Sequence, residues 1–432
     1  MRDEARVAED GESPTAPQKL LQILGPGLIT GASDDDPSGI ATYSQAGAQF
    51  GYNLGWTLLF SWPLMCAIQE ISARIGRVTG RGIAGNLKRH YPPYILYALV
   101  FLLVVANTVN LGADLGAMAA ALKLVVGGPR LAFVAGFGLL SALLEVFVSY
   151  ARYVRVLKWL TLSLFAYVAV ACVVHVPWGA VGHALIVPQV SFKPDYLTVV
   201  VAVLGTTISP YLFFWQAEEE VEEVNETEGA KPLRRDPSAA KKEFGRVRID
   251  TYLGMALSNI VAIFIVVTTA ATLHAHGVHN IATSAQAAEA LRPIAGPYVF
   301  LVFALGIIGT GMLAVPVLAG SAAYALGEAF GWHVGLSRKP GRAKIFNATI
   351  AAAFLIGAAL NFTPIDPVKA LFWSAVINGV VAVPVMVMMM HLSSRPSAMG
   401  RFTLPPVLRM FGWAATAAMA AAAIGMFATI GS

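Results

Sequence analysis

Eleven long apolar stretches limit this chain more than any other feature: they lie near residues 20–46, 54–73, 94–122, 130–150, 157–176, 196–217, 251–273, 296–326, 346–361, 368–391 and 407–430. Most are close to the ~20 residues that a helix needs to cross the hydrocarbon of a bilayer. The runs are continuous rather than alternating, which excludes a β-barrel. Composition agrees, with 56% hydrophobic residues, only 13% charged and a mean hydropathy of +0.65. A soluble chain carries roughly 25% charged residues. The fold class expected is therefore an all-α integral membrane protein with eleven transmembrane helices over residues 19–432. Residues 1–18 are polar and acidic and lack the basic start and apolar core of a signal peptide, so they read as a disordered cytoplasmic tail.

Basic residues set the orientation. With a cytoplasmic N-terminus, 25 of the 30 Lys and Arg residues fall on the inner side, and only Lys123, Arg130, Lys193, Arg292 and Lys369 fall outside. The C-terminus is then outside. The net charge of +5 is a topology signal and implies no nucleic-acid partner. Cys66 and Cys172 sit in apolar stretches and form neither a disulfide framework nor a thiolate site. The eight histidines lie near span ends or in loops, which argues against haem or redox work. No His-Glu-x-x-His, no Gly-x-Ser-x-Gly and no large soluble domain is present, so the chain is not read as an enzyme or a receptor.

Two of the apolar stretches cannot be unbroken helices. The first contains Gly-Ala-Ser-Asp-Asp-Asp-Pro-Ser-Gly-Ile over residues 31–40. Three consecutive carboxylates followed by proline must be interrupted and must face protein or water. The sixth repeats the anomaly at residues 204–211, where Pro210 follows a Thr-Thr-Ile-Ser run. Five helices separate the breaks, so the second set enters from the opposite side. The expectation is an inverted repeat, with helices 1 and 6 broken: residues 19–176 form the first half, 195–391 the second, and 407–430 an extra helix. Paired interrupted helices in inverted halves point to the central site of a transporter.

Carboxylates and freed carbonyls make an oxygen-rich site that suits a cation. Asp36 is the leading ligand, the plainer alternative being a cap for the half-helix that begins at Pro37. Asp34 and Asp35 are either further ligands or the wall of a wet vestibule. On the third helix Asn107, Asn110 and Asp114 share a face, so Asp114 belongs either to the cation path or to a hydrogen bond with Asn110. Ser374 and Asn378, four apart on the tenth helix, aim at the same centre or link neighbouring helices. Glu70 and Arg74 are spaced for an ion pair. The run Glu218, Glu219, Glu220, Glu222 and Glu223 reads as a solvated face, with a cation-attracting exit or a Mg²⁺-sensing role as the alternative. The Met386, Met388, Met389 and Met390 cluster reads as lipid-facing or packing material.

The string GPGLITGASDDDPSGIATYSQAGAQFGY resembles the first helix of Nramp-type divalent-metal transporters, whose motif is Asp-Pro-Gly-Asn followed by a similar Gln-Ala-Gly-Ala-Gln stretch. The resemblance extends over nearly the whole chain and implies a LeuT-like architecture. It carries Asp36 over as the ion-binding acid and Thr206 as a carbonyl contributor. Two departures stand out. The family's motif asparagine is Gly39 here, and its sixth-helix Met-Pro-His is Ser209, Pro210 and Tyr211. Both are similar to substitutions in the Nramp-related magnesium transporters. No thioether occupies either break, and a thioether favours Mn, Fe or Cd over hard cations. Loss of the larger side chains is expected to open the pocket, and Mg²⁺ keeps several of its waters and needs only one or two carboxylates.

The function expected is Mg²⁺ uptake by alternating access, with Mn²⁺ as the second cation. Lack of a central His, and Ala117 in place of a family acid, point away from proton coupling. The alternatives are a proton-coupled Mn²⁺/Fe²⁺ symporter and an organic-solute carrier using the acids for Na⁺. No cofactor and no obligate protein partner is implied beyond the bilayer, and family resemblance suggests the bacterial inner membrane.

Overall fold

The computed structural model describes residues 30–31, 33–147, 164–336 and 343–430. The expected tail, the first part of the fifth apolar stretch (157–163) and the basic residues Arg152, Arg155 and Lys158 lie outside them. All regular structure among the described residues is helical. Helical residues 30–31 and 33–34 lead to α1 (Pro37–Phe50), followed by α2 (Gly55–Thr79), the short α3 (Ile83–His90), α4 (Pro93–Val126) and α5 (Arg130–Phe147). Next come α6 (Phe165–Val173), α7 (Trp178–Ile186), α8 (Pro194–Thr207) and α9 (Pro210–Glu226). The chain ends with α10 (Ala240–Thr272), α11 (Val299–Phe330), α12 (Lys344–Leu360), α13 (Pro367–Ser393) and α14 (Pro406–Ile430).

Seven described helical segments are long and apolar enough to cross a membrane: α4, α5, α8 with α9, α10, α11, α13 and α14. Apolar α12 is shorter, at 17 residues, and α2 carries Glu70, Arg74 and Arg77 among its 25. Side chains such as Phe101, Leu139, Phe147, Leu355 and Ile424 project outward, the surface expected of helices whose solvent is lipid. Prolines inside α2, α11 and α13 (Pro63, Pro316 and Pro384) are tolerated there because neighbouring helices and hydroxyls absorb the freed carbonyls.

Packing is reciprocal. α1 lies against α10 as α9 lies against α2, and α5 lies on α4 as α12 lies on α11. The pairing of α4 with α11 forms the spine, and α8 and α13 pack on one another and on α1. A side chain at Gly205 of α8 would strike the backbone of Ala375 and Gly379 on α13, so glycine is what lets these two helices touch. That contact places Asn378 beside the second break.

Several expectations about the periphery are refined. Glu70 and Arg74 do pair, at 2.7 Å. Met386, Met389 and Met390 are core, which settles the cluster as packing material. The acidic run is not a solvated face: α9 continues through it to Glu226, Glu218 and Glu220 are buried, and Glu220 and Glu223 meet Arg246 at 2.6 and 3.0 Å. Arg77 completes this network with Glu243 at 2.5 Å.

Candidate metal site

Both breaks are present. Helical residues stop at Asp34 and α1 begins at Pro37, with Asp36 extended between them as its N-cap. The second falls at Ile208 and Ser209, between α8 and α9, again with proline in the first helical position. Proline suits that position because the amide it lacks would have no helical partner.

Asp36 does cap α1: its Oδ1 accepts from Gly39 N at 2.7 Å and from Ser38 Oγ at 2.5 Å. The cap uses one oxygen only. Oδ2 accepts from Asn110 Nδ2 of α4 at 3.0 Å and lies 3.3 Å from Tyr211 OH of α9. That phenol is also 3.1 Å from the Ser33 carbonyl, and it has a single proton. Giving the proton wholly to Ser33 frees a lone pair of Oδ2 for a cation. Asn110 Oδ1 in turn accepts from Ser374 Oγ at 2.6 Å, so Asp36, Asn110, Tyr211 and Ser374 form one network across four helices.

At the second break Ser209 Oγ lies 2.5 Å from the Gly205 carbonyl and 2.9 Å from that of Thr206. One hydroxyl hydrogen cannot satisfy both, so a carbonyl there keeps acceptor capacity. Thr206 Oγ1 is 2.9 Å from Tyr43 OH, which ties this break to α1 one turn beyond Gly39. Gly39 is not an opening. A β-carbon there would lie 3.2 Å from the Asp34 carbonyl and 3.3 Å from the Tyr43 ring, so the room expected from losing the asparagine is filled by Tyr43.

The remaining expected ligands divide. Asn378 and Asp114 have both polar side-chain atoms buried with no hydrogen-bond partner, and Asn110 is spent on Asp36 rather than on Asp114. Unsatisfied buried polar groups of this kind cost free energy unless a ligand or water completes them. Asp34 and Asp35 turn away from the second break toward α10, where Ser258 Oγ meets Asp34 Oδ2 at 2.6 Å and Asp35 Oδ1 at 3.2 Å. They are buried, not a wet vestibule. Tyr211, Tyr43 and Ser258 were not among the ligands expected. A buried Glu145 on α5, with both oxygens unpartnered, was also missed, because in sequence it is one acid near the end of an apolar run.

Asp36, Thr206, Ser209 and Asn378 are each 2% exposed or less, so the site is buried. A cavity of about 660 Å³, lined by Ala41, Gln45, Gln49, Asp195 and Lys369, opens at the far end of α1. Ala41 is five residues from Asp36, ~7.5 Å along a helix. Among the described residues no three His, Cys, Asp or Glu side chains converge as a metal cage. A cation at the breaks would thus be held by one carboxylate with amide, hydroxyl and carbonyl oxygens. That donor set fits a hard ion that retains water.

The chain shares 26% identity over 310 residues with the divalent metal cation transporter MntH of Klebsiella pneumoniae, covering 70% of this chain and 71% of that one. The MntH of Yersinia pestis is 27% identical over 300 residues, 68% and 69% of the two chains. Among solved structures it is similar to the Eremococcus coleocola manganese transporter in complex with an aromatic bis-isothiourea compound, with a TM-score of 0.74 at 17% identity over 98% of this chain and 89% of that one. The nucleobase-cation-symport-1 family transporter Mhp1 matches with a TM-score of 0.56 at 13% identity, covering 94% and 93%. Both likenesses concern the fold, which is LeuT-like. The family model described as natural resistance-associated macrophage protein-like matches residues 27–429, paired helix breaks included, and the chain belongs to the Nramp family.

Proposed function

We propose that this protein moves Mg²⁺ into the cytoplasm by alternating access, with the ion partly hydrated at the two helix breaks. It is a divalent metal cation transporter of the Nramp family and not an enzyme. The observation that carries the choice of ion is the donor set: Asp36 Oδ2, the carbonyls around Thr206 and the unpartnered Asn378 and Asp114 are all hard, with no sulfur or imidazole at either break. Gly39 contributes its backbone amide to the Asp36 cap and Ser209 its hydroxyl to the second break, both where a softer or bulkier group would stand in the relatives' motif. Mn²⁺ also accepts oxygen ligands, and relatives named for divalent metal or manganese transport support it as the second cation.

Eleven spans, with the N-terminus inside and the C-terminus outside a bacterial inner membrane, agree with the distribution of charge. Lys369 lines the cavity at one end of the bundle, and Arg81, Arg89 and Lys231 line a cleft at the other. Proton coupling is unnecessary for uptake. A divalent ion moving down 100 mV gains about 4.6 kcal/mol, enough for roughly 10³-fold accumulation. The test is Mg²⁺ flux into proteoliposomes by wild type and Asp36→Asn, with Mn²⁺ as competitor. Mg²⁺ influx that is lost in the variant supports the reading, and Mn²⁺ flux without Mg²⁺ flux overturns it in favour of an ordinary Mn²⁺/Fe²⁺ carrier.

A further inference from the structure

A second cavity, of about 790 Å³, lies at the opposite end of the bundle from the Gln45 opening, between the end of α2, the α3 helix and the chain that follows α9. Its walls carry Arg81, Arg89, Lys231, Arg234 and Arg235, with Glu228 as their one acidic residue. The neighbouring arginines Arg74, Arg77 and Arg246 are all matched by glutamates, whereas none of these five takes part in an ion pair among the described residues. Arg234 is held in place by the Ser397 and Ala398 carbonyls at 2.9 and 3.0 Å, and keeps its charge.

Basic residues on the cytosolic side are expected of any membrane protein. That rule requires no convergence, yet here two segments more than 130 residues apart in sequence close on one cleft. The walls are built. Leu233 N and Arg234 N donate to the Arg77 and Val78 carbonyls at 3.1 and 3.0 Å, and Leu233 is buried beneath them. Asn86 Nδ2 donates to Thr79 Oγ1 at 2.8 Å and to the Arg81 and Gly82 carbonyls at 3.0 and 2.8 Å, fixing the other side. Tyr94 and Tyr97 project outward at the start of α4, as aromatic side chains do at headgroup depth.

We propose that this cleft binds a phosphate-bearing anion, either the headgroup of an anionic inner-leaflet lipid or a free phosphorylated solute. Forked guanidinium groups match phosphate oxygens in pairs, and three or four of them in one concave site bind phosphate far better than scattered surface charges. The site is separate from the metal path. Its placement at the cytosolic face rests on the topology proposed above, and anion binding itself does not.

The test uses the full-length chain. In nanodiscs of phosphatidylcholine alone it is titrated with inorganic pyrophosphate and with ADP, and in a separate preparation with equal amounts of phosphatidylglycerol and phosphatidylcholine native mass spectra compare retention of the two lipids. Wild type should bind at least one of these anions saturably, and R81Q/R89Q/R235Q should bind it at least about tenfold more weakly, with the difference fading at high salt. Retention of phosphatidylglycerol alone identifies the lipid source, and binding of pyrophosphate or ADP alone identifies a soluble one. Equal binding by wild type and the triple variant, to every probe, overturns the proposal. Should the triple variant not give a sharp gel-filtration peak, Glu228→Lys decides: it removes the one acid and should tighten binding several-fold, and unchanged binding overturns the proposal.

Discussion

Asp36 holds two roles on its two oxygens. Oδ1 belongs to the α1 cap and Oδ2 to the network reaching Asn110 and Tyr211. The two substitutions at this position therefore separate fold from function. Asp36→Asn keeps a capping oxygen, while Asp36→Ala loses it at a cost of about 1 kcal/mol. Both should reduce Mg²⁺ uptake to the level of empty liposomes, and thermal melting should rank Ala below Asn. Uptake like wild type in either variant would remove Asp36 from the site. The Ser209 position tests hardness. Ser209→Met should gain Mn²⁺ or Cd²⁺ affinity and lose Mg²⁺ affinity by isothermal titration, and an unchanged preference would shift selectivity to Asn378. Adding Gly39→Asn requires Tyr43 to move as well, since its ring stands 3.3 Å from where the new β-carbon would be. Asp36 was legible because a carboxylate before proline in an apolar run has few explanations. Tyr211 as its partner was not, since they meet across 175 positions of sequence.

Both breaks could be read from proline and polar residues inside apolar stretches, and the helices begin at Pro37 and Pro210. What sits against them could not. Whether Gly205 is a flexible point or a contact surface depends on α13, far along the chain. Its backbone contact predicts that Gly205→Leu lowers stability by about 1–3 kcal/mol through overpacking, measured as the melting temperature in detergent. No change would mean that α8 and α13 are not in close contact. The acidic run was misread for a similar reason. Nothing near Glu220 in sequence announces Arg77, and Arg246 follows only after the turn between α9 and α10. Arg77 is buried with Glu243, which without it keeps only Arg246 at 3.2 Å, so Arg77→Met should cost about 2 kcal/mol through the lost charged hydrogen bond. Glu243→Gln should cost less, because the amide still accepts a hydrogen bond. If the two variants melt alike, and like wild type, the network is not structural.

Across the whole molecule, a bilayer supplies the organising constraint: apolar length marks the helices, the charge distribution carries the proposed direction, and the two interruptions mark where the proposal places an ion. All of that follows from local sequence and general physics. The burial of the site does not, because it depends on how Tyr43 of α1, Tyr211 of α9 and Asn110 of α4 come together. A transporter driven by membrane potential alone makes a distinct prediction: Mg²⁺ influx under a valinomycin clamp should leave intraliposomal pH unchanged. Proton entry in fixed proportion to Mg²⁺, absent from Asp36→Asn, would instead identify a symporter. Before that question comes the identity of the ion itself. Proteoliposomes holding the purified chain, with an inside-negative potential and a Mg²⁺-sensitive dye enclosed, should report saturable Mg²⁺ influx that Mn²⁺ inhibits and Asp36→Asn abolishes. Influx no faster than in empty liposomes, alongside clear Mn²⁺ influx in the same preparation, would contradict it.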